Sequence, residues 1–377
     1  RALCIQTAQR TVPCALCVHA AQRTVPCALR RTPPMLLTAL ILAAMAALLL
    51  FHAGIRRGEA LMDRQKTLVQ RGLWSLVIIF VHCPYAYGNR LQDMIGSFAY
   101  IGVTFFFMVS SYGLFTSLRK KQTPAITFWK RHLPKLLLTG WTVNLLFAIL
   151  RLAMLGEIPS FGTILSINGW IRWLLVSYLL FRIADRRIAG RDIRPKTLLY
   201  SAAVVLFSLL IYILVHTGAI TTTTWTTEFY GCVWGALLAV GHEAFRRTAD
   251  TRWLPAVTAS CLLSLLLGVS YLRLKHVLFF GDYLLKIVLG IAILTFLLTV
   301  STRLHYGNRA TYYLGSISFE IYLIHGQLFH LLEDFAAIHP IPFTSGTFLL
   351  TSILLTILLA SAVHYVLSRP RRRPSPV

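Results

Sequence analysis

The stretch RGLWSLVIIFVH, residues 71–82, sets a string of Leu, Val, Ile, Phe and Trp between an arginine and a histidine. Only Gly72 and Ser75 relieve the apolar run. Taken alone it reads as a membrane helix or a buried strand, and neither holds a histidine without a reason. The rest of the chain decides between them. Its 377 residues are 56% hydrophobic and 13% charged, whereas a soluble domain carries about 25% charged residues. Mean hydropathy is +0.66, and several apolar runs exceed the ~18–20 residues that cross a bilayer. The sequence predicts an all-α fold, a polytopic bundle of membrane helices.

Basic residues outnumber acidic ones, 37 to 13, for a formal charge of +24. In a soluble chain that excess would point to nucleic acid. Here it collects in short loops between apolar runs, as the positive-inside bias produces, so the expected partner is the lipid bilayer and no nucleic acid. Eleven candidate spans emerge, at 35–55, 72–87, 99–118, 136–155, 168–184, 197–216, 229–241, 254–272, 277–300, 317–335 and 347–368. The loops at 56–71, 119–135, 185–196, 242–252, 302–309 and 369–373 are basic. Those at 89–98, 156–167, 217–227 and 336–346 carry little charge, and only the loop at 272–276 breaks the alternation. This pattern puts the C-terminus in the cytoplasm and the start of the first span outside.

Four parts follow from this pass: residues 1–34, the span 35–55, a membrane domain at 67–368 and a basic tail at 369–377. AQRTVPCAL occurs at 8–16 and again at 21–29, so residues 1–34 read as a repeat-containing leader, disordered or mis-extended, with no function. Cys14 and Cys17 form a CxxC where the copies adjoin, but no second pair completes a metal site, and none is expected. The segment 35–55 is long for a signal peptide and no A-x-A site stands out in it, so it reads as a retained helix.

Arg71 and His82 are eleven residues apart, close to three full helical turns, so they share a face and stand ~16 Å apart along the axis. With Arg71 at the cytoplasmic interface, His82 lies near the middle of a ~30 Å hydrocarbon core. A helix starting earlier, at Thr67, moves it toward the outer interface. The pair suits a ligand with a charged head and a long arm, the shape of a coenzyme A thioester. A neutral imidazole is then placed to act as general base toward a hydroxyl. Arg71 alone also fits a positive-inside flank, whereas an ionisable group within the span is costly and marks function.

The neighbouring segments carry a resemblance. An arginine, ten residues and a histidine on an opening helix resembles the motif of acyltransferase family 3, the integral-membrane O-acyltransferases. TFFFMVSSYGLF (104–115) is similar to that family's second-helix signature, and FWKRHLPKLL (128–137) to its basic, proline-containing loop. GWIRWLLVSYLLF (169–181), FYGCVWGALLA (229–239) and LGSISFEIYLIHG (314–326) resemble its later helices, in order. Ser111 stands where the family usually has glycine, the chain ends HYVLSRP where an acidic residue before Lys-Pro is usual, and 35–55 is extra. The resemblance implies a ten-helix acyltransferase core plus one extra N-terminal span.

It also implies transfer of an acyl group, commonly acetyl, from cytoplasmic acyl-CoA (acetyl-CoA) to a hydroxyl of a carbohydrate or lipid-linked glycan at the cell surface. The donor is a substrate, with no bound cofactor, and the expected location is a bacterial cytoplasmic (inner) membrane. Arg71 and His82 carry over as the catalytic pair. Lys130 and Arg131, in the basic 119–135 loop, are candidates for the donor phosphates, with topology signal as the alternative. Arg151 and Arg172 are candidate cavity-lining residues. Glu320, Tyr322 and His325 form a polar stripe on the 317–335 span; Tyr322 and His325 share a face, a second wall of the site or a helix–helix hydrogen-bonding surface. The rival reading is a multi-pass transporter with an intramembrane His/Arg/Glu path, which internal repeats would favour; none appears beyond residues 1–34.

Overall fold

The computed structural model describes residues 35–368, apart from 52, 56–60, 84–89, 122–124, 191, 223 and 340–344. The leader 1–34, its CxxC and the tail 369–377 lie outside the described residues. What is described is almost wholly helical. The first helix, α1 (Met35–Leu50), leads through β1 (Gly54–Ile55) to α2 (Arg64–His82), α3 (Arg90–Phe98), α4 (Tyr100–Lys121) and α5 (Ala125–Leu155). Then come α6 (Phe161–Leu165), α7 (Gly169–Arg187), α8 (Ile193–His216) and, after a 3-10 turn at Glu228–Tyr230, α9 (Gly231–Thr251). The rest is α10 (Trp253–Leu274), a π-helical turn at Phe280–Leu285, α11 (Lys286–Ser301), β2 (Leu304–His305), α12 (Arg309–Ser316), α13 (Ser318–Ile338) and α14 (Ser345–Ser368).

Each of the eleven predicted spans falls on a helix. Among the described residues, six stretches are long and apolar enough to cross a membrane by length and composition: Leu91–Lys120, His132–Leu155, Ile193–His216, Trp253–Leu274, Phe280–Ser301 and Gly346–Ser368. Their outward faces agree with a lipid surround. On α14, Leu350, Leu354 and Leu358 recur every fourth residue and are 58%, 59% and 63% exposed. In water such a stripe would be a liability; against hydrocarbon it is solvated.

Three boundaries differ from the sequence reading. The first span ends at Leu50 after 16 residues, about 24 Å of helix, and the chain then turns into β1. The second begins at Arg64, eight residues before the predicted start, because Asp63 caps it by accepting the Gln65 N–H. Arg71 therefore stands two turns inside α2, and His82 is its last residue. The basic 119–135 segment is largely helix: α5 starts at Ala125 and runs through Pro134, so Lys130 and Arg131 lie on a helix and not in a loop.

The chain forms two compact units. One contains Val103–Ala125 and Val176–Arg303. In it α9 meets α4 through Gly231 and Gly235, where an added Cβ would stand 2.1 Å from the Thr104 and Met108 carbonyl oxygens. This is the small-residue contact that membrane helices use in place of hydrophobic association. Ser111, where the resemblance expects glycine, is buried in the same contact, and its hydroxyl donates to the Cys232 carbonyl at 2.7 Å. The serine thus bonds across the seam that a glycine would only narrow.

The other unit contains the described residues of 35–102, 126–175 and 304–368. Its core gathers Leu76, Ile79 and Phe80 of α2, Phe147 of α5, Ile321 and Ile324 of α13, and Phe348 of α14. Helices α2 and α12 touch backbone to backbone: a Cβ on Gly315 would stand 1.8 Å from the Leu68 carbonyl oxygen, and one on Gly72 2.5 Å from that of Thr311. Gly315→Ala is expected to lose ~1–3 kcal/mol or the folded protein outright. Gly113, where an added Cβ meets nothing within 4 Å, should accept alanine with no loss and gain up to ~1 kcal/mol from helix propensity. Thermal unfolding of the two variants in detergent checks the contrast.

Candidate active site

The site is built where α2 ends. His82 is half-buried at the helix C-terminus, and the Cys83 N–H closes the helix on the Ile79 carbonyl. A helix C-terminus carries a partial negative charge, which favours a cation there. Across from it, His325 lies buried on the second turn of α13, at 7% exposure. His82 Nδ1 and His325 Nε2 are 2.9 Å apart. The two rings are tilted by only 10°, with centroids 5.1 Å apart. That separation is the hydrogen-bond length plus two ring radii, so the imidazoles meet edge to edge in nearly one plane and are not stacked.

The direction of the bond follows from its neighbour. His325 Nδ1 lies 3.1 Å from the Ile321 carbonyl oxygen, which can only accept. Nδ1 of a neutral His325 must then carry the proton, leaving Nε2 as acceptor. His82 Nδ1–H is consequently the donor, and the lone pair of His82 sits on Nε2. These tautomers are assigned from the hydrogen-bond network. Among the described residues, His82 Nε2 has no hydrogen-bond partner. The arrangement is a one-way chain: Ile321 carbonyl, His325, His82, and a basic nitrogen at its end.

Aromatic rings hold His325 in place. Phe329 meets it edge-on at 5.9 Å, and Tyr322 lies 5.6 Å away. Trp170, at the start of α7, packs on Tyr322 with centroids 4.8 Å apart. Tyr322 and His325 thus share a face as predicted, and that face meets His82. Glu320 turns elsewhere: its carboxylate accepts from His364 Nδ1 of α14 at 2.9 Å, so the three residues do not form one stripe. Arg71 is half-buried on the unbroken helix that ends in His82.

The remaining candidates do not join this cluster. Arg151 donates to Glu157 at 2.6 Å and to Asp334 at 2.7 Å. Arg172 and Lys130 are exposed. The Arg131 side chain lies outside the described residues. The sequence reading passed over His364 and Asp334, although both sit in predicted spans. The signal that singled out His82, an ionisable group in an apolar run, applies equally to them.

A family model described as an acyltransferase domain matches residues 69–365. The match covers α2 from Val69 to Tyr365 of α14, most of the chain, and the protein belongs to that family. It is an integral-membrane acyltransferase, and α1 lies outside the matched region. Comparisons with curated proteins and with solved structures give no match.

The ion pairs of Arg151 mark it as a tether between α5, the following loop and α13. With its side chain 31% exposed and Asp334 17% exposed, Arg151→Ala should cost on the order of 1 kcal/mol. The rate per folded molecule should not change. Thermal unfolding together with acyl transfer normalised to folded protein separates this role from cavity lining.

Proposed function

We propose that the protein transfers an acetyl group from acetyl-CoA to a hydroxyl of a cell-surface or lipid-linked glycan, with His82 as general base. The observation that carries this is the His82–His325 hydrogen bond at 2.9 Å, oriented by the Ile321 carbonyl. It leaves His82 Nε2 unprotonated and directed away from its partner. The acceptor hydroxyl gives its proton to Nε2 as its oxygen attacks the thioester carbonyl. The C–S bond then breaks, and the imidazolium returns the proton to the departing thiolate, so the enzyme ends unchanged. His325 accepts from Nδ1–H throughout and stabilises the positive ring, the part an orienting carboxylate plays in a serine hydrolase triad.

Arg71 supports the donor half of this reading. It leaves α2 on the same face as His82, about 16 Å nearer the N-terminal end, where a guanidinium can hold phosphate oxygens bidentately. In this reading the loops of low charge between helices face the acceptor side of a bacterial inner membrane, and a cytoplasmic C-terminus agrees with the positive-inside pattern. The transporter reading gives way to the family membership.

Membranes containing the protein should move label from acetyl-CoA to a glycan fraction. His82→Ala should lower the rate ~10²–10⁴-fold, the span of general base catalysis, with folded protein retained. His325→Phe should lower it strongly as well. His325→Gln should recover part of the rate, because its amide oxygen can still accept from His82 Nδ1–H. Arg71→Gln should chiefly raise the donor KM. Full activity of His82→Ala would remove the proposed base.

A further inference from the structure

Helices α5 and α13 are fastened to each other at two levels. Gln327 Nε2 donates to Asn144 Oδ1 at 3.2 Å, and Arg151 donates to Asp334 at 2.7 Å. From 144 to 151 and from 327 to 334 are both seven residues, about two turns, so the helices run side by side in the same direction. Asn144 stands at the middle of the apolar stretch His132–Leu155, about 16 Å short of its end. Beyond it Leu145, Ile149 and Leu152 are exposed on α5, the surface of a helix that is still in hydrocarbon.

The chain after α5 turns back into this depth. Gly156 reverses it with φ at 68°, and Glu157 meets Arg151 at 2.6 Å. Residues 156–160 are not helical, and five extended residues cover about 16 Å. Helix α6 then ends against the middle of α5. Trp141 Nε1 donates to the Leu165 carbonyl at 3.1 Å. The Asn144 amide nitrogen lies 3.1 Å from the Ile164 carbonyl oxygen and 2.9 Å from that of Ser166. Carbonyls only accept, so the nitrogen of Asn144 faces the segment and its oxygen faces Gln327. The orphan carbonyls at the end of α6 thus find their donors on α5, and segment 156–168 is re-entrant.

Irregular backbone at bilayer depth persists only where protein buries it or water reaches it. Ser160, Thr163 and Ser166 are exposed, so protein does not bury this segment. It also borders the candidate site. Gln327 follows His325 by two residues, and Trp170, whose N–H donates to Asn168 Oδ1 at 2.9 Å, packs on Tyr322 beside His325. We propose that segment 156–168 walls a water-filled vestibule that descends from the acceptor side toward His325, with Asn144 as the positioning residue that holds the wall for the acceptor. The hydroxyls of Ser160, Thr163 and Ser166 both donate and accept, which suits a polyhydroxylated acceptor such as a sugar. The acceptor's share in this rests on the reaction proposed above; the vestibule does not.

The test uses the full chain in right-side-out membrane vesicles, with a membrane-impermeant methanethiosulfonate added outside. Thr163→Cys and Ser166→Cys should be labelled above the unsubstituted chain. Leu145→Cys, at the same depth on the exposed apolar face of α5, should not. Background labelling of both loop variants, or equal labelling of Leu145→Cys, would overturn the vestibule. Asn144→Asp keeps the shape of the side chain but replaces the amide donors. In transfer from acetyl-CoA to the glycan fraction it should raise the acceptor KM about ten-fold, roughly one hydrogen bond's worth, with the donor KM unchanged. An unaltered acceptor KM, or an equal rise in both KM values, would remove the role of Asn144. A chain that transfers nothing to any glycan would overturn the reaction and the acceptor's share with it, while labelling still decides the vestibule.

Discussion

Helix α2 lies so close to α12 that neither Gly72 nor Gly315 has room for a single further carbon. This contact governs the unit that carries the candidate site. Within a bilayer no hydrophobic drive brings helices together, so packing and hydrogen bonding must hold them. Two glycines let backbones meet, and the geometry that results is rigid because no side chain stands between them to yield. Only Ile317 separates α12 from α13. Fixing α12 against α2 therefore also fixes where α13 begins, and with it the approach of His325 to His82.

Around that contact the polar groups sort into two kinds. Arg151 forms closed ion pairs with Glu157 and Asp334, and Glu320 is closed by the hydrogen bond it accepts from His364. In the other unit Glu228 and Lys286 pair at 2.8 Å, and Lys196 and Asp185 at 2.7 Å. An ionised group in a low dielectric is costly unless a counter-charge offsets it, and these pairs meet that demand while tying helices together. The histidine pair differs. It is neutral, it is directional, and its chain of bonds runs from a carbonyl to a lone pair. A closed pair has nothing left to offer a substrate; an open chain does.

The same reasoning separates the two basic features at the start of α2. Arg71 follows the face that ends in His82, whereas Lys66 leaves the helix about 140° away and lines a cleft with Arg309. Five residues and the pitch of a helix are enough to divide them. Arg71 lies inside the region matched by the family model, and Lys66 just before it.

The helical class, the placing of the eleven expected spans on helices and the common face of Arg71 and His82 were legible in the sequence. Each depends on composition or on spacing within one helix, and helical pitch turns spacing directly into direction. The family was legible for the same reason, through ordered local motifs. Helix starts were less so, because a cap such as Asp63 overrides the apolar boundary, and α5 extends through a basic, proline-containing segment that read as a loop. Partner choice was not legible at all. That His325 meets His82 while Glu320, on the same helix, meets His364 depends on residues 243 and 44 positions apart along the chain. Nothing in local periodicity encodes which of two buried faces will find which neighbour. Only the packed bundle decides that, and with the partner it decides which nitrogen of His82 holds the lone pair.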